Sequence, residues 1–171
     1  LLIKDILGQI EGIKADIIII HLDEAGNANS ETLTAVQSLL EDGQIRGRKK
    51  EKGCVYALST NRPEDGCGSR ILPKSLRNGR LVSFELEPDP QQWLEDFAVP
   101  AGIDVRIRAA IEWRGSLLMQ HDGKSKERVE ATPRGWEKLS NLLKLEPSPA
   151  ALDKLAPGCV GEGAWREVKG F

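Results

Sequence analysis

Residues 15–26 read "ADIIIIHLDEAG". Ile17 to Leu22 is apolar on both faces of an extended chain, with only His21 interrupting. Such a run predicts a central parallel strand covered by helices on both sides. Each isoleucine buried in that way contributes about 1.5–3 kcal/mol. The run then stops at Asp23 and Glu24, side by side. Packing gives no reason for paired carboxylates at the end of a buried strand, so a positively charged ligand is expected there. In open α/β sheets, residues just past the carboxyl end of a strand face the ligand crevice.

Working outward, two more strands suggest themselves: Cys54 to Ser59, "CVYALS", and Leu81 to Leu86, "LVSFEL". The third alternates more and belongs nearer an edge. Between the first two lies "SETLTAVQSLLEDG", with Leu33, Val36, Leu39 and Leu40 on one helical face. Asn29 or Ser30 can cap its start and Gly43 its end. The basic stretch "QIRGRKKEKG" comes next and reads as a hairpin or turn carrying Arg46, Arg48, Lys49, Lys50 and Lys52. Apolar runs alternating with helical or glycine-rich segments are the βαβ rhythm of a parallel sheet.

From "EPDPQQW" onward the chain changes style. A capping side chain followed by proline opens successive helices at Asp89-Pro90, Thr132-Pro133 and Ser148-Pro149. Further helices are expected from Asp104 to about Arg114 and from Glu162 to Val168. The fold class is therefore α/β, a partial parallel sheet in residues 1–88 followed by a small all-helical region in 89–171.

The bulk composition agrees with a globular chain. The 171 residues are 40% hydrophobic and 29% charged, with 24 basic and 26 acidic side chains. A net charge of −2 gives no overall attraction to nucleic acid or to an anionic membrane. No apolar run approaches the roughly 20 residues of a bilayer span. Cys54, Cys67 and Cys159 lack metal-ligand spacing and, being odd in number, make a poor disulfide framework; reduced cytosolic thiols are the expectation. The chain opens at Leu1 without a basic-then-apolar leader.

Four groups of residues point to chemistry. Four large apolar residues followed by Asp-Glu match the Walker B pattern of nucleotide hydrolases, in which Asp23 holds Mg²⁺ and Glu24 activates water. An acidic turn capping the next helix is the plain alternative. "STN" ends the second strand, and Asn61 there can position an attacking water; an Asx turn before Arg62-Pro63 is the alternative. Arg70, Arg77 and Arg80 precede the expected third strand, and Arg80 can reach toward a neighbouring subunit or simply solvate its loop. Arg134 occupies the first turn of a helix, where the dipole disfavours a cation unless an anion sits in front of it.

Taken in order, "IIIIHLDE", "STNRPEDG", "LPKSLRNGRLVSFELEPD" and "TPRGWEKLSNLL" resemble the second half of an AAA+ ATPase, most closely of the MoxR-like branch. The resemblance covers nearly the whole chain, including "DGCGSRILP" and the closing "GEGAWREVKGF". It implies a P-loop NTPase core in 1–88 and a helical lid in 89–171, with ATP and Mg²⁺ as cofactors. Asp23 would be the Mg²⁺ ligand and Glu24 the base. Asn61 would be sensor 1, Arg80 the arginine finger and Arg134 sensor 2.

The resemblance further implies ATP-driven protein remodelling by a cytoplasmic homo-oligomer, a hexameric ring. Its partners would be a protein client, with von Willebrand type A domain proteins as the usual companions of this branch, and neither membrane nor nucleic acid. Where the family reads asparagine-arginine-aromatic, this chain has Asn78-Gly79-Arg80-Leu81, which leaves Arg77 as a second candidate finger.

No G-x-x-x-x-G-K-[ST] occurs in the sequence. The phosphate-cradling loop is therefore expected upstream of Leu1. The chain is expected to be a fragment, inactive and marginally stable by itself, with one edge of its sheet exposed. Two other classes remain open: a non-catalytic module of AAA+ shape, and an acidic-pocket Mg²⁺-dependent phosphoryl-transfer domain.

Overall fold

The structure is a computed structural model and describes residues 16–45, 48–49, 53–63, 68–120 and 128–170. It is mixed α/β and divides into two compact units, Leu1–Phe84 and Glu85–Phe171. Arg46, Lys50, Lys52 and Cys67, named from the sequence, lie outside the described residues.

In the first unit β1 (Ile18–Leu22) leads through a 3-10 turn (Ala25–Asn27) into α1 (Ser30–Asp42). The signals expected for α1 are those it uses. The Asn29 side chain accepts from the Thr32 amide at 2.8 Å, and Gly43 ends the helix at φ 64°. The basic stretch forms a short antiparallel pair, β2 (Gln44–Ile45) with β3 (Arg48–Lys49). β4 (Cys54–Leu58) then runs parallel to β1, matching Ile18 with Cys54 and Leu22 with Leu58. After it comes α2 (Lys74–Arg80), which buries Leu76.

Only one face of the parallel pair is covered among the described residues. Alternation along a strand sends every second side chain to the same face. Ile20 is buried with Leu39 of α1, and Ile18, Leu22, Ala35, Cys54 and Tyr56 pack against them. The opposite face carries Ile17 and Ile19, 66% and 70% exposed. Of the helices expected on both sides, the described residues supply one, α1. The isoleucine run records that both faces are apolar, and α1 supplies a cover for one.

The expected third strand is corrected. No pairing among the described residues includes 81–86, and a strand exists only against a partner backbone. Val82, Phe84 and Leu86 stand 80%, 80% and 95% exposed. The β-prone composition is there; a neighbouring strand is not found among the described residues.

The elements among the described residues of the second unit are all helical. Asp89 caps α3 (Pro90–Gln92), accepting from the Gln92 amide at 3.0 Å, and the chain continues as a π-helical stretch, Trp93–Ala98. Then come α4 (Val105–Trp113), α5 (Pro133–Leu143), α6 (Pro149–Leu155), α7 (Pro157–Val160) and α8 (Glu162–Gly170). Thr132 and Ser148 cap α5 and α6 as the Thr-Pro and Ser-Pro pairs predict.

Trp136 is fully buried at the centre, among Ile107, Ile111, Leu117 and Leu139. Its indole N–H donates to the Leu117 carbonyl at 2.8 Å, so burial strands no donor. Buried Ser140 accepts from the Asp104 amide at 2.9 Å, tying the start of α4 to α5. Gly135 lets α5 approach α7 closely: a Cβ there would lie 2.4 Å from the Cys159 carbonyl.

Candidate functional site

The matched register puts the carboxyl ends of β1 and β4 level, so the turn after β1 meets the segment after β4. The backbone knits them together. The Ser59 amide donates to the Leu22 carbonyl at 3.1 Å, and the Ala25 amide donates back to the Ser59 carbonyl at 2.8 Å. Asp23 and Glu24 lie on the turn between these two bonds, both exposed.

Each carboxylate is held by its own chain of hydrogen bonds. Asp23 Oδ1 accepts from the Glu24 amide at 3.0 Å and from the Ser59 hydroxyl. His21 Nε2 lies 2.9 Å from Ser59 Oγ. The Ser59 hydroxyl, then the Glu24 N–H, hold the Asp23 carboxyl below the usual carboxylate range. Glu24 Oε2 accepts from Asn27 Nδ2 at 3.1 Å, and Asn27 Oδ1 accepts from the hydroxyl of buried Ser69 at 3.2 Å.

Glu24 sits in the left-handed region, φ 53° and ψ 39°. A side chain with a Cβ costs about 1–2 kcal/mol there. Such strain gathers at functional sites, where the surrounding contacts hold it in place. The next tight point is Gly26, whose amide donates to Thr60 Oγ1 at 3.1 Å. A Cβ on Gly26 would fall 2.2 Å from that oxygen and 3.0 Å from the Arg70 carbonyl. The Arg70 amide in turn donates to the Gly26 carbonyl at 3.0 Å, which fixes the later loop against the acidic turn.

The structure brings Asp23, Glu24 and the "STN" segment together, but the residue touching Asp23 is Ser59 rather than Asn61. Asn61 lies two residues further on and is exposed. Arg80 is ion-paired with Glu41 of α1 in its own chain and donates to the Ser75 carbonyl. Gly79, the residue inserted relative to the resembled pattern, takes φ 80° and breaks α2 before Arg80. Arg77 Nε donates to the Leu72 carbonyl at 3.0 Å. Arg134 is exposed in the first turn of α5, in the second unit.

The sequence marks Ser59 only as the start of "STN" and His21 only as the interruption of the apolar run; their linkage to Asp23, like the parts of Asn27 and Ser69, comes from the structure. The one signal that finds Ser59 is register: it comes after Leu58 as Asp23 comes after Leu22. Asn27 and Ser69 meet only through the loop that returns to Gly26.

Among the described residues, Asp23 offers one carboxylate with Oδ1 filled by two hydrogen bonds and Oδ2 open to a ligand. Mg²⁺ at phosphate sites is bound by one or two carboxylates plus phosphate and water, not by a protein cage. The single Asp23 carboxylate is a donor of that kind; among the described residues no three His, Cys, Asp or Glu side chains gather as a metal cage. No helix of the described residues is long and apolar enough to cross a membrane. No protein-family model matches the chain, and neither a curated protein nor a solved structure matches it.

Proposed function

We propose that the chain belongs to a P-loop ATPase of AAA+ type, MoxR-like in its motifs, and carries the hydrolytic half of its nucleotide site. The observation that supports this most is the pair Asp23–Glu24 at the carboxyl end of β1, level with the end of parallel β4. Each carboxylate has a separate hydrogen-bonded support.

Asp23 would hold Mg²⁺ through Oδ2. When bound, the cation offsets negative charge on the transferred phosphoryl group. Glu24 orients a water and takes its proton at Oε1 while Asn27 steadies Oε2. Asn61 positions that water from the β4 side. Arg134 would contact phosphate from a helical lid, and Arg80 would serve a neighbouring subunit's site once released from Glu41. A homo-oligomeric ring, hexameric by the resemblance, a cytoplasmic setting and a protein client, with a von Willebrand type A domain protein as companion, complete this reading.

The test is ATP hydrolysis by the chain expressed with whatever reading frame precedes Leu1 in its gene. Glu24→Gln should lower kcat at least 100-fold, as expected for a general base. Hydrolysis untouched by that change defeats the assignment. Mixing Arg80→Ala with Glu24→Gln should restore part of the activity if the arginine acts between subunits. No rescue at any ratio defeats the finger.

One observation favours a second reading, a non-catalytic module of the same shape: Arg80 is already engaged by Glu41. That reading expects no hydrolysis under any of these conditions. An acidic-pocket phosphoryl-transfer domain would instead show phosphate on Asp23 that survives acid and is released by hydroxylamine.

A further inference from the structure

We propose that Ser59 and His21 are positioning residues that aim Asp23 Oδ2 at a divalent cation. The inference rests on the proposed role of Asp23 as a cation ligand and adds the machinery behind it.

Proton counting fixes the direction of the chain. An ionised carboxylate has no proton to give, and a serine hydroxyl has one. The Ser59 proton therefore points to Asp23 Oδ1. The 2.9 Å contact between His21 Nε2 and Ser59 Oγ then requires the proton to sit on Nε2. Neutral His21 in its Nε2–H tautomer and the imidazolium both meet that requirement, so the relay His21→Ser59→Asp23 holds in either charge state.

The backbone limits the remaining freedom. The Ser59 backbone bonds to Leu22 on one side of Asp23 and to Ala25 on the other, so its Cα is held beside the carboxylate and one rotamer brings the hydroxyl to it. With Oδ1 occupied by Ser59 and by the Glu24 amide, Oδ2 is the oxygen that the relay assigns to the cation. Hydrogen-bond partners behind a metal ligand typically govern 10–100-fold of metal affinity. His21 interrupts an otherwise apolar strand, and the relay gives that interruption a purpose. Its imidazole lies on the uncovered face, where it costs no core packing.

The test uses the chain expressed with whatever reading frame precedes Leu1 in its gene, with Mn²⁺ and a non-hydrolysable ATP analogue, and reads free Mn²⁺ by electron paramagnetic resonance against the analogue alone. Asp23→Asn should abolish specific binding. Ser59→Ala should weaken it about 10-fold, and Ser59→Thr, which keeps the hydroxyl, should restore it. His21→Leu should weaken binding when Ser59 is present and have no further effect on top of Ser59→Ala, because it acts through that hydroxyl.

Additive effects of the two changes, or a Ser59→Ala variant that binds as tightly as wild type while Asp23→Asn does not, overturn the relay and leave the cation reading standing. Mn²⁺ binding absent or indifferent to Asp23→Asn overturns both. Nitrogen-15 NMR of the histidine ring supplies an arm without metal: a proton on Nδ1 and none on Nε2 of His21 overturns the relay by itself.

Discussion

Arg80 lies in an ion pair with Glu41, the penultimate residue of α1 in its own chain. Both side chains are about one-third exposed (32% and 33%), so solvent screens the pair. Glu41→Ala should therefore lower stability by no more than about 1 kcal/mol. It should also free the guanidinium, measured as faster modification of Arg80 by phenylglyoxal in peptide mapping. An unchanged modification rate would mean that Glu41 does not hold Arg80.

Tyr56 gives a cleaner electrostatic measurement, because it is the chain's one tyrosine. Burial, then the neighbouring Cys54, pushes its phenol up to about 12 from an ordinary 10. The folded state thus resists ionisation that the unfolded state accepts. Stability from this group is complete below about pH 10 and is lost as pH rises toward 12. Absorbance at 295 nm should show a single phenolate transition near 12 in the folded chain. The Tyr56 hydroxyl is buried with no hydrogen-bond partner among the described residues, so Tyr56→Phe should raise stability by about 1 kcal/mol.

At the acidic turn, Gly26→Ala places a methyl group against Thr60 and the Arg70 carbonyl. One side is backbone and cannot swing away. The expected loss is about 1–3 kcal/mol, typical of overpacking, with the urea midpoint as the measurement. A neutral result would show that the loop at 69–70 does not rest on the turn.

Asp104 caps α4 through the Arg106 amide and pairs with the Arg106 guanidinium at 2.8 Å. The guanidinium bond, first among the causes, holds its carboxyl below the ordinary value. That contribution is present above about pH 4 and is lost as pH falls through the lowered folded value. Asn caps a helix as well as Asp does but does not titrate. Asp104→Asn should therefore shrink the drop in thermal midpoint between pH 6 and pH 3. An identical drop would remove Asp104 from the acid response.

Much of this architecture was legible because it is local. The isoleucine run, the Asn29 cap with its Gly43 stop, and the cap-proline starts at Asp89, Thr132 and Ser148 each act within a few residues, and each appears in the structure. What failed was relational. "LVSFEL" has strand composition, yet composition cannot supply a neighbour, and the segment is unladdered. Ile17 to Ile20 announces two apolar faces without saying which one α1 covers. In the site, Asp23, Glu24 and "STN" stood out as chemistry, while Ser59 required the Leu22–Leu58 register and Ser69 required a loop closure. Gly79 could be seen as an insertion, but its left-handed turn and the consequent delivery of Arg80 to Glu41 could not.

The exposed stretch ending at Phe84 has a practical consequence. Proteases bind their targets as extended, accessible strands, and chymotrypsin cuts after aromatic residues. Phe84 meets both needs, and the boundary between the two compact units falls directly behind it. Brief digestion should nick the molecule there first and release a helical piece that keeps the entire Trp136 cluster, so the chain carries its own site for dissection.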